Sequence, residues 1–66
     1  MDVRKWEIFR VVATEKSFSR AAARLSRTQP AVSMAVQRLE EEVGEPLIDR
    51  TGRQLRLTDA GQVVFD

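Results

Sequence analysis

The sequence predicts a small, mainly α-helical domain: three helices, a short β-hairpin and the start of a fourth helix. Three observations carry this. Apolar residues recur at helical spacing in successive stretches, residues 47–58 alternate in polarity about a glycine, and 66 residues leave room for one core only. At this size folding buries roughly 60% of the surface of the extended chain, so stability is expected to be modest.

In the first helix, residues 3 to 15, Val3, Trp6, Phe9, Val12 and Ala13 form an apolar stripe that Ile8 and Val11 widen, opposite a polar face at Arg4, Glu7 and Arg10. A break at Lys16-Ser17 separates it from a short second helix, about 20–26. Ser19 is the expected N-cap and Phe18 the expected hydrophobic staple. Ala21, Ala22 and Ala23 allow close helix approach, and Arg20 and Arg24, four apart, share an outer face. Thr28 is a good cap for a third helix, about 29–43, whose first turn accommodates Pro30. Val32, Val36, Leu39 and Val43 give that helix the cleanest stripe in the chain, and Gly44 and Pro46 end it. Residues 47–50 and 54–58 then read as two strands about Thr51-Gly52-Arg53, with Gly52 expected at positive φ. Thr58 caps a fourth helix with an apolar face of Ala60, Val63 and Val64, Phe65 beside them. That face has little chain left to cover it, so the sequence is expected to be cut inside a longer helix.

A short second helix, a tight turn, a longer third helix and a hairpin make a winged helix-turn-helix, the hairpin being the wing. We place the domain at 1–58 and the truncated start of a linker or dimerisation helix at 59–66.

Composition narrows the function. The absence of Cys and His excludes disulfides, Cys/His zinc sites and histidine-based triads, and no pattern assembles a site from the remaining Ser, Asp and Glu, so an enzyme is not expected. No metal or cofactor is expected in this fragment. No apolar run approaches the roughly 18 residues of a membrane span, and the N-terminus lacks a signal-peptide pattern, so a cytoplasmic protein without membrane contact is expected. The net charge of +1 does not nominate nucleic acid, but the charge is segregated. Residues 1–27 hold seven cations against three carboxylates; residues 28–49 hold one cation against five; residues 50–66 hold three against two. On charge alone the plainer reading, ordinary solvated helix faces, stands.

The order of elements adds what charge does not. With its valine and leucine side committed to the core, the third helix presents Gln29, Ser33, Met34, Gln37 and Arg38 outward. Glutamine can pair with adenine N6/N7, serine can donate or accept, and methionine can lie against a thymine methyl. Arg38 and the N-terminal half of this helix can approach DNA; Glu40, Glu41, Glu42 and Glu45 crowd its far end, the first three expected as a solvated face. Each residue has a plainer reading: the glutamines and serine suit any solvated helix, and Arg50, Arg53 and Arg56 suit edge protection of a hairpin. Trp6 and Phe9 are expected in the core rather than as stacking platforms. A helical protein-interaction module is the rival reading, motivated by the acidic run and the exposed apolar end.

Five blocks resemble the N-terminal domain of LysR-type transcriptional regulators: Ser17-Phe18-Ser19-Arg20-Ala21-Ala22-Ala23-Arg24-Leu25, Thr28-Gln29-Pro30-Ala31-Val32-Ser33, Arg38-Leu39-Glu40-Glu41-Glu42-Val43-Gly44, Pro46-Leu47-Ile48-Asp49-Arg50-Thr51-Gly52-Arg53 and Leu57-Thr58-Asp59-Ala60-Gly61. The likeness covers essentially the whole chain. It implies a bacterial regulator several times longer, with a C-terminal domain that binds a small-molecule co-inducer. It also implies homodimers through the linker helix, often paired into tetramers, on a double-stranded operator. The third helix would lie in the major groove and the wing, about 47–58, on the flanking backbone or minor groove. Carried over by position, Gln29, Pro30, Ala31 and Ser33 would approach bases, with Met34 and Gln37 beside them. Ser17, Ser19, Arg20, Arg50 and Arg53 would contact phosphate, joined by Arg27, Thr28 and Arg38. Met34 departs from the family pattern, where a basic residue is frequent, and Ala35 and Gln37 replace larger or charged choices, which implies fewer ionic contacts from this helix.

Overall fold

A computed structural model describes residues 3–66; the side chain of Val3, assigned above to the first stripe, lies outside the described residues. The order is α1 (Val3–Glu15), α2 (Phe18–Arg24), α3 (Gln29–Val43), β1 (Ile48–Asp49), β2 (Arg56–Leu57) and α4 (Asp59–Phe65). The apolar stripes predicted for α1 and α3 converge on the alanines of α2. Phe9 and Val12 of α1, Ala21 of α2, Val32, Val36 and Leu39 of α3, and Leu47 are all fully buried and form one cluster with Ile8, Ala22 and Ile48. Ala21 and Ala22, whose side chains are single methyls, let α2 lie close against its neighbours, while Ala23 faces solvent. No helix among the described residues is long and apolar enough to cross a membrane.

Capping defines the helix ends, and at α2 it differs from expectation. The N-cap is Ser17, whose Oγ accepts from Arg20 N at 3.1 Å, so α2 begins at Phe18 and ends at Arg24 rather than spanning 20–26. Both serines have a capping side chain, but only Ser17 has the extended backbone (φ −163°, ψ 128°) that turns its oxygen over the first helical amides. Phe18, expected before the helix as a staple, is its first residue and packs half-buried against the core. The turn after α2 passes through Ser26 in left-handed conformation, φ 54°, with Arg27 N donating to Ala22 O. Thr28 then caps α3 as expected, accepting from Ala31 N, and Gly44 at φ 88° closes it, its amide bonded to Glu40 O.

The wing is looser than a tight hairpin. The antiparallel strands pair Ile48 with Leu57 and Asp49 with Arg56, leaving six residues, 50–55, in the loop instead of three. Gly52 does not adopt positive φ, a conformation that among the glycines belongs to Gly44 alone in the described residues. The longer loop removes the need for it. Its first bend is made instead by the Asp49 carboxylate, which accepts from Thr51 N at 2.9 Å and from Thr51 Oγ1 at 2.6 Å.

Thr58 joins wing to α4. Its hydroxyl donates to Pro46 O at 2.7 Å and accepts from Gly61 N at 3.0 Å, while its amide donates to Leu47 O. The inward face of α4 is Gly61 and Val64, with Ala60 and Phe65 packed against the core; Val63, expected on that face, is 76% exposed. The rotation follows from Gly61, which brings the α4 backbone onto Leu47 and turns Val63 outward. Arg10 ties α1 to the end of α4, donating to Phe65 O and lying 4.9 Å from the Phe65 ring centroid.

Candidate nucleic-acid interface

Burial of Val32, Val36 and Leu39 leaves the other sides of α3 facing out, and most of the residues singled out from the sequence line two adjoining recesses on one flank of α3 and a third on the other. Gln29 and Ser33 line a groove between α3 and the wing, completed by Arg50, Arg53, Gln54 and Phe18. Gln29, Arg50 and Arg53 are exposed there, and Ser33 is half-buried because it looks toward the wing. Ser17 and Arg20 line an adjoining recess that shares Arg53 and Gln54 with the first, so the start of α2 and the wing loop form one continuous surface. On the opposite flank of α3, Ala31, Met34, Arg38 and Arg27 lie with Arg4 and Lys5 of α1; Met34 is 54% exposed. Gln37 is not in these grooves but beside Glu40, Glu41 and Arg50 at the far end. Thr28 and Pro30 are exposed at the start of α3, the helix end where amide dipoles favour an anion.

The electrostatics follow from who is paired. Lys5 bonds Glu42 at 2.7 Å and Arg24 bonds Glu15 at 2.9 Å, which partly neutralises those cations. Arg50 stands 3.6 Å from Glu40 and 5.5 Å from the Phe18 ring centroid, so its guanidinium is held at the mouth of the groove rather than swinging freely. The Asp49 carboxyl sits below the usual carboxylate range because Thr51 donates to it from hydroxyl and amide, which outweighs the opposing effect of desolvation, and Arg56 adds a lesser favourable charge.

Two parts of this arrangement were not read from the sequence. Glu40, expected with Glu41 and Glu42 on a solvated face, is instead the strut between α3 and the wing. Its Oε2 accepts from Leu47 N at 2.7 Å and Ile48 N at 3.3 Å, and its side chain is only 12% exposed. Its position one turn beyond buried Val36 was the available signal; an acid at the edge of an apolar stripe implies a partner. The second is the bond from Ser19 Oγ to Gln29 Oε1, 3.0 Å, which links two residues assigned separate roles.

This geometry has close counterparts. The family model described as "Bacterial regulatory helix-turn-helix protein, lysR family" matches residues 3–62. The probable cat1 operon transcriptional activator of Acinetobacter lwoffii is 48% identical over 66 residues, and the RuBisCO operon transcriptional regulator of Allochromatium vinosum 46% over 65. The match takes in 100% and 98% of this chain, which spans 22% of the length of each relative. Among solved structures, the BenM DNA-binding domain in complex with catB site 1 DNA superposes with a TM-score of 0.93 at 37% identity, covering 98% of this chain and 72% of that one. Vibrio fischeri DarR in complex with DNA gives the same TM-score and identity over 98% of this chain and 22% of its own. These relatives are regulators, not enzymes. The chain therefore belongs to the lysR family of bacterial regulatory helix-turn-helix proteins and is a DNA-binding domain of that family.

Proposed function

We propose that this domain reads a specific double-stranded sequence with the outward side of α3 in the major groove and the wing on the adjacent backbone or minor groove. Gln29, Pro30, Ala31, Ser33, Met34 and Gln37 face bases; Ser17, Arg20, Arg27, Thr28, Arg38, Arg50 and Arg53 engage phosphates. Ser19, expected on the phosphate side, belongs with Gln29, to which its hydroxyl is bonded. The observation that carries the reading is the groove shared by Gln29, Ser33, Arg50 and Arg53: reading groups and cations meet along one edge of a helix whose opposite side is fully buried.

Salt titration of duplex binding tests it. Each phosphate contact contributes about 0.9 to the slope of log K against log salt. Arg53→Ala should lower the slope by that amount, and an unchanged slope removes the wing from the interface. Selection of bound sites from random duplexes would give the half-site. Two heads held symmetrically should read half-sites a whole helical turn apart, about 34 Å, or a multiple of it.

The wider assignment follows the family resemblance of the sequence. Residues 1–58 are the reading head and 59–66 the first turns of a linker helix that pairs two copies, tetramers following in the full-length regulator. Exposed Val63 lies on that helix and supports the pairing. In the whole protein a separate domain takes a small-molecule co-inducer, and the regulator works in the cytoplasm.

A further inference from the structure

We infer that Ser19 is a positioning residue for base recognition, acting through Gln29 rather than on the DNA backbone. The inference rests on the reading of Gln29 as a base-facing residue.

Ser19 lies in the first turn of α2 and Gln29 is the first residue of α3, so the bond between their side chains spans the two helices of the helix-turn-helix. Among the described residues Ser19 is the hydrogen-bond partner of the Gln29 amide, and both side chains are on the surface. A serine hydroxyl carries one proton. Given to Gln29 Oε1, that proton is not available to a phosphate oxygen, which has none to return. Contact with phosphate and the bond to Gln29 are therefore alternatives, and the geometry favours the second. Ser17 is different: its oxygen already caps α2 as an acceptor, so its proton remains free.

The bond has two consequences for Gln29. A free glutamine has three rotatable torsions and must be ordered when it meets a base; the tether orders the amide beforehand. It also sets the amide's direction. With Oε1 turned toward α2, the Nε2 hydrogens point away from Ser19, and one lone pair of Oε1 remains unused. Donation into Oε1 polarises the amide and makes Nε2 the stronger donor. Gln29 is thus set to donate to a purine N7 in the major groove, with adenine satisfying the residual lone pair through N6.

The test is site selection from a randomised duplex pool by the parent chain and by Ser19→Ala, Ser19→Thr, Gln29→Ala and the double alanine variant. Ser19→Ala and Gln29→Ala should lose preference, by about tenfold, at the same base pair, and the double variant should lose no more. Ser19→Thr, which keeps the hydroxyl, should retain the preference. Replacing the purine at that pair with its 7-deaza analogue should weaken the parent and leave Ser19→Ala nearly unaffected. Uniform weakening of all duplexes by Ser19→Ala with an intact preference, or multiplicative losses in the double variant, would overturn the inference. An unchanged preference in Gln29→Ala would overturn the reading of Gln29 itself, a distinct result.

Discussion

Glu40 shows how much one side chain can contribute to this domain. Its carboxylate supplies the acceptor for two backbone amides where the chain leaves α3 for the wing, and holds Arg50 at the groove. Removing it leaves part-buried donors unmatched, so Glu40→Ala should destabilise the fold by about 1–3 kcal/mol in urea denaturation. Glu40→Gln, which keeps an acceptor oxygen, should lose about half as much; equal stability of the alanine variant and the parent would refute the strut. Met34 offers a test of a different kind. It is an exposed apolar side chain beside Arg38 and Arg27 on the flank away from the wing. If it lies against a thymine methyl, uracil at that position should weaken binding measurably by fluorescence anisotropy, and full tolerance of uracil would remove the contact.

At the scale of elements, the joint between wing and α4 depends on Gly61. A Cβ there would approach within 2.9 Å of the Leu47 carbonyl carbon and nearer still to its oxygen, backbone atoms that cannot rotate aside. Gly61→Ala must push α4 off the wing, and a loss of about 1–3 kcal/mol is expected by thermal unfolding. Equal melting of the two proteins would show that α4 is not seated on Leu47. The wing loop carries a pH dependence. Because the Asp49 carboxyl titrates below its ordinary range in the folded state, its hydrogen bonds to Thr51 are complete above about pH 4, the unfolded value, and are lost as pH falls through the lower folded value. The Thr51 amide resonance should therefore hold steady from neutral pH to about 4 and shift only below it; a midpoint at the ordinary carboxylate value would contradict the bend. Asp49→Asn should abolish the titration.

For the molecule as a whole, three short helices share a single core, and its centre has no reserve. Leu39, fully buried among residues of that core, should cost about 2–5 kcal/mol when cut to alanine. A domain this small has about 5 kcal/mol or somewhat more to lose, so Leu39→Ala should be largely unfolded or melt far lower by circular dichroism. A small shift would mean that the core can collapse around the gap. The surface ion pairs Lys5–Glu42 and Arg24–Glu15 brace α1 against α3 and α2, but such exposed pairs contribute about 1 kcal/mol or less each. Packing, not charge, holds α3 in place.

The helices, the caps at Thr28, Gly44 and Thr58 and the inward stripe of α3 were legible in the sequence because periodicity and capping are local: the atoms involved are separated by at most about one turn. So was the outward set led by Gln29, as the remainder once the stripe is removed. What the sequence did not disclose lies between elements. Ser19 reads as the cap of α2 until the extended backbone at Ser17 puts the cap two residues earlier. Gly52 reads as a tight turn until the loop around Asp49 makes its positive φ unnecessary, and Val63 reads as apolar and inward until Gly61 rotates α4. Glu40 on Leu47 and Ser19 on Gln29 are contacts through space, decided only when tertiary packing brings together polar groups that the chain itself keeps seven to ten residues apart.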